Sequence, residues 1–208
     1  MTDSNVLLAD LEEASRIAKA GEDMPLVGGP IGLMWGILIT VMMAIQYLIL
    51  TQTLALPFHS LNFFWLGFVA LGCVGSVIFG LKIDKKPGAN SIANKVEQYV
   101  WTMFSAAMAS LAIGVILNLM LGKGSHDLWG FILISGFAAQ GLAYGVVAKL
   151  TGHRWIHLAA FGSFALAAIT MSFYGQNIIY LMASFGAFIT IVIPVSYTHL
   201  TLPTICSV

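Results

Sequence analysis

Six stretches of the chain are almost continuously apolar, and turns or charged residues separate them. They run from Ile31 to Leu50, Leu61 to Leu81, Tyr99 to Leu121, Leu128 to Val147, Trp155 to Phe173 and Ile178 to Pro194. A helix crosses roughly 30 Å of hydrocarbon with about 20 mostly apolar residues, because each residue rises 1.5 Å. Each stretch meets or nearly meets that length. None shows the two-residue alternation of a membrane barrel strand. The pattern predicts an all-α fold, a polytopic membrane bundle of six transmembrane helices. Short connections over 51–60, 122–127 and 174–177 make the spans they join antiparallel neighbours.

Ahead of the first span, Ser4 to Ala20 has the spacing of a short amphipathic helix. Leu7, Leu11, Ala14 and Ala18 share one face, Asp10, Glu12, Glu13, Arg16 and Lys19 lie largely elsewhere, and Gly21 ends the segment. The chain therefore divides into a cytosolic helix and linker over 1–24, a six-helix transmembrane domain over 25–194, and a tail over 195–208. Residues 1–24 lack the basic start and short apolar core of a secretory signal peptide, so insertion is expected to rely on the first span.

Composition agrees with a lipid solvent: 59% of the residues are hydrophobic, 9% are charged, and the mean hydropathy is +0.90. The formal net charge is zero, which gives no reason to expect a nucleic-acid partner. The position of the charges says more than their sum. Arg16 and Lys19 precede the first span, Lys82, Lys85, Lys86 and Lys95 lie between the second and third, and Lys149 and Arg154 lie between the fourth and fifth. Only Lys123 falls on the other face. Basic loops stay cytoplasmic, so the N-terminus and both basic loops are expected in the cytoplasm.

Trp35, Trp65, Trp101, Trp129 and Trp155 all stand near the start of a span, where interfacial anchoring explains them. Small residues recur every fourth position, as in Gly32 and Gly36, Gly72, Ser76 and Gly80, Ala106, Ser110 and Gly114, Gly141 and Gly145, and Ala159, Ser163 and Ala167. Such ridges let helices approach closely in lipid. Packing within one chain is the simpler role, and a homo-oligomer interface is the alternative.

Candidate chemistry is sparse. No ionisable side chain sits in the middle of a span, which disfavours a proton- or sodium-coupled carrier. Glu97 and Lys149 stand at span ends, within reach of interfacial water. Gln46, Asn118 and Gln140 are the intramembrane polar residues, readable as hydrogen-bonding glue between helices or as the lining of a substrate cavity. His153 and His157 share a helix face, and His59, His126 and Asp127 could meet on the outer side, but neither set carries a metal-site signature. Ten methionines show no tight cluster of the kind copper transport needs. With two cysteines, no phosphate-binding glycine loop, no nucleophile elbow and no paired intramembrane carboxylates, neither an enzyme nor a cofactor is expected.

Two resemblances add to this. Residues 195–204, Val-Ser-Tyr-Thr-His-Leu-Thr-Leu-Pro-Thr, resemble the translation of a transposon-type sequencing adapter, so the tail is expected to be non-native and His199 and Cys206 to carry no function. The junction from Ala18 to Gly36, AKAGEDMPLVGGPIGLMWG, resembles that of uncharacterised bacterial inner-membrane proteins, with Pro25, Leu26, Gly28, Gly29, Trp35 and Gly36 as the matching positions. That resemblance implies a bacterial inner-membrane location and no established activity. The leading expectation is a non-enzymatic anchor or sensor whose N-terminal helix binds a cytosolic protein. The competing one is a permease-like bundle for a neutral or apolar solute, with a cavity lined by Gln46, Asn118 or Gln140.

Overall fold

The computed structural model describes residues 8, 10–12, 26–152 and 154–196. Among these there is no strand, and six helices are long and apolar enough to cross a bilayer: α1 (Gly29–Leu50), α2 (Ser60–Ile83), α3 (Ile92–Met120), α4 (Leu128–Thr151), α5 (Arg154–Ser172) and α6 (Ile178–Ser196). Of the amphipathic segment ahead of them, Leu8, Asp10, Leu11 and Glu12 are helical and exposed, and the rest lies outside the described residues. The C-terminal stretch 197–208 also lies outside them.

Local chemistry sets the helix ends. Pro30 opens α1, where a missing N–H costs nothing. Ser91 caps α3 by accepting the Asn94 N–H at 3.3 Å. That cap starts α3 seven residues before Tyr99, so the helix carries Lys95 and Glu97 beyond its apolar run. Gly152 closes α4 in the left-handed conformation, at φ +68°, with its N–H on the Ala148 carbonyl at 3.0 Å. A side chain there would be strained, and the glycine permits the tight reversal into α5.

The core is formed by α1, α4, α5 and α6. The most extensive pairing joins α4 to α5, and the next joins α1 to α6. In α4 and α6, 44% of the span is buried; in α2 and α3 only 6% is. Helix α2 rests on α1, and α3 rests on α4, while these two successive helices barely touch each other. Their outward side chains, such as Phe63, Leu66 and Val77 on α2 and Ile113, Leu117 and Met120 on α3, are exposed. In lipid such exposure is no liability, because the hydrocarbon is as apolar as leucine.

Close approaches occur where a side chain is missing. A Cβ on Gly36 would meet Ile191 and Val192 of α6, and one on Gly186 would meet Leu166 of α5 and Phe137 of α4. Gly80, Gly114 and Gly145 face open space. In α6, Phe188–Val192 widens into a π-helical turn that the sequence does not announce. It leaves Thr190 buried and facing α4 and α5, in keeping with the habit of such bulges to redirect one side chain.

Candidate functional site

The most elaborate polar structure lies where the chain enters the first span. Val27 is buried against α3 and donates its N–H to Asn94 Oδ1 at 2.9 Å. The Asn94 amide nitrogen donates in turn to the Gly88 carbonyl at 3.0 Å and to Ser91 Oγ at 3.0 Å. Gly88 sits at φ +81°, a conformation that glycine adopts without strain and that turns its carbonyl toward Asn94. One buried amide thus joins the segment before α1, the loop after α2 and the cap of α3.

Glu97, one helical turn further along α3, completes the arrangement. Its carboxylate packs against Gly28 and accepts that residue's N–H. A Cβ on Gly28 would sit 3.0 Å from Glu97 Oε2, so the absent side chain is what makes the slot. Helix α1 has no acidic residue in its first turn and no side-chain cap. Glu97 supplies the missing cap from another helix, as an acceptor for an orphan N–H at the start of α1. The carboxyl is half-buried and engaged with Gly28. Beside it, Tyr144 is buried with Val147, Ala148, Ile156, Ala159 and Ala160, and Leu26, Trp101 and Trp155 pack against that cluster. Trp101 meets Tyr144 edge to face at 5.1 Å.

The three intramembrane amides do not come together. Gln46, buried on α1, accepts the Trp65 indole N–H at 3.0 Å and lies against the Tyr180 hydroxyl, which ties α1 to α2 and α6. Gln140, buried on α4, donates to Ser163 Oγ of α5 at 3.1 Å and to Thr190 Oγ1 of α6 at 3.0 Å. Both hydroxyls donate onward to carbonyls of their own helices, at Ala159 and Gly186. Bonds of this kind contribute about 0.6 kcal/mol each on average, so Gln140 stabilises a three-helix junction by a modest amount. Asn118 is remote from both, near the end of α3. Its Oδ1 is buried without a hydrogen-bond partner and packs against Gly124 of the following loop.

Of the partner-binding face, Leu11 is helical and exposed, while Leu7, Ala14 and Ala18 lie outside the described residues. His153 lies outside them too, so the pair with His157 is not described. Among the described residues no group of three His, Cys, Asp or Glu side chains could hold a metal ion, and His59, His126 and Asp127 do not form one. Cys73 is exposed on the outer face of α2. The tryptophans do more than anchor. Trp35 donates to Ser76 Oγ at 2.9 Å across α1 and α2, and Trp65, Trp101 and Trp155 pack against buried clusters.

The sequence reading passed over Asn94 and put Glu97 within reach of interfacial water without seeing its contact with Gly28. A usable signal was present: Ser91 followed three residues later by Asn94 is the spacing of a capping motif, ahead of an apolar run. No family model, no curated protein and no solved structure matches the chain.

Proposed function

We propose that this chain is a non-enzymatic anchor or sensor of the bacterial inner membrane, whose N-terminal segment binds a cytosolic protein partner. The observation that carries this reading is the buried bond from Val27 to Asn94, reinforced by Glu97 on Gly28. The chain is thereby fixed to the bundle at Val27 and Gly28, where it enters the first span, so a displacement of it there reaches α1 and α3 directly. Leu11, helical and exposed ahead of the strap, is available to a partner. The separation of Gln46, Gln140 and Asn118 into unconnected settings gives the permease alternative no common lining.

Deleting residues 1–23 tests the reading directly. Affinity capture of the full chain from mildly solubilised membranes should recover a cytosolic protein that the shortened chain loses, while the thermal midpoint of the bundle stays unchanged. Identical partners with and without the segment would remove the proposal.

The orientation belongs to the same reading, with the N-terminus and the basic loops in the cytoplasm. With Cys73 and Cys206 replaced by serine, Lys85→Cys and Arg154→Cys should both resist a membrane-impermeant thiol reagent on intact cells and react after permeabilisation. Labelling of either from outside would reverse the topology and take the cytosolic partner with it.

A further inference from the structure

On the lipid-facing side of α4, Gly141, Leu142, Gly145, Val146, Lys149 and Leu150 floor a shallow, open groove of about 630 Å³, walled by Val96 of α3 and Phe164 of α5. The lining is apolar except for Lys149. Gly141, Gly145 and Lys149 follow one another at four-residue spacing, so the floor runs about 12 Å along the helix. It is closed at one end by the Phe164 ring, which covers Gly141. At Gly145 nothing lies within reach of a Cβ, and the floor is open there.

The other end is cationic. Lys149 stands at the rim, Lys95 precedes the groove-lining Val96 in the first turn of α3, and Arg154 begins α5; all three are exposed. The nearby acid, Glu97, is turned to Gly28. We propose that this groove is a binding site for an anionic phospholipid of the leaflet facing the basic loops. An acyl chain would lie over Gly145 toward Phe164, and the headgroup phosphate would meet Lys149, with Lys95 and Arg154 adding attraction. Basic pockets between transmembrane helices recognise anionic headgroups by this chemistry. The apolar floor selects a lipid over a soluble anion.

The full chain in a non-denaturing detergent, examined by native mass spectrometry with added phosphatidylglycerol or phosphatidylcholine, tests it. Phosphatidylglycerol should be retained in preference. Lys149→Gln should lower that preference about fivefold, the effect of one surface cation. Gly145→Leu should abolish retention of both lipids, since its side chain fills the floor. Equal retention of the two lipids by the unmodified chain overturns the site, and so does unchanged phosphatidylglycerol occupancy in Gly145→Leu. If Gly145→Leu fails to fold, the exposed Lys149→Gln decides alone: an unaltered preference overturns the proposal and a fivefold drop supports it.

Discussion

Replacing Asn94 by leucine is expected to lower the thermal midpoint of the detergent-solubilised protein by several degrees and to expose the chain at Val27. Asn94 is 4% exposed, and leucine keeps its branched shape but is bulkier, so some overpacking adds to the effect. What is lost is the amide. The Val27 N–H loses its acceptor and the Gly88 carbonyl loses its donor. A buried polar group stripped of its partner costs about 1–3 kcal/mol. Two such groups make the penalty on the order of 2–6 kcal/mol, large against the 5–15 kcal/mol by which domains are typically stable. Water near the membrane surface can reach a freed Gly88 carbonyl, which favours the lower half of that range. Asn94→Asp separates the two bonds. It keeps an acceptor for Val27 but presents a carboxylate oxygen to the Gly88 carbonyl, so it too should destabilise. Melting curves, together with hydrogen exchange at Val27, give the readout. A leucine variant that melts within a degree or two of the parent, with Val27 still protected, would mean that the strap is held by something other than this amide.

The ease with which different parts of the molecule can be read from sequence follows from which solvent each part meets. Lipid demands long apolar runs with internally satisfied backbones, so the six spans stand out, and α1, α2, α4, α5 and α6 begin and end close to where hydropathy puts them. Helix α3 is the exception because its first turns lie outside that demand. Lys95 and Glu97 interrupt the hydropathy while the Ser91 cap and the docked strap keep the helix intact. Glu97 illustrates a second limit. A carboxyl at a helix end belongs in water unless another element offers an N–H and room to reach it, and both come from Gly28, 69 positions earlier at the N-cap of a different helix. Gln46 and Gln140 are legible as intramembrane amides, but their partners at Trp65, Ser163 and Thr190 are decided by tertiary packing. The contacts of the tryptophans go unread for a related reason. An indole near an interface satisfies its N–H equally well on water or on a neighbouring side chain, and only the packed structure distinguishes Trp35 on Ser76 from a plain interfacial anchor.

That indole governs the second large effect, a substitution of Gly72 by leucine. Phe68, Gly72 and Ser76 follow one another at four-residue spacing on α2 and together form a slot for Trp35. The ring meets Phe68 edge to face at 5.4 Å, donates to Ser76 Oγ at 2.9 Å, and occupies the space where a Gly72 Cβ would project. It is fixed from both sides and cannot swing away without losing both contacts. Overpacking of a filled site costs about 1–3 kcal/mol. Loss of the interhelical hydrogen bond adds about 0.6 kcal/mol, and loss of the aromatic pair about 0.5–1.5 kcal/mol. Besides this slot, helix α2 is held to α1 by the Trp65 bond to Gln46 and the close approach of Gly75 to Met34, and it buries only 6% of its span. The expected result is a strongly lowered thermal midpoint with α2 displaced from α1. Gly80→Leu, on the same helix but facing open space, should leave the midpoint where it was. In a Trp35→Ala background, Gly72→Leu should lose most of its penalty, because the ring it collides with is gone; a penalty that persists in full would place the cause outside this slot.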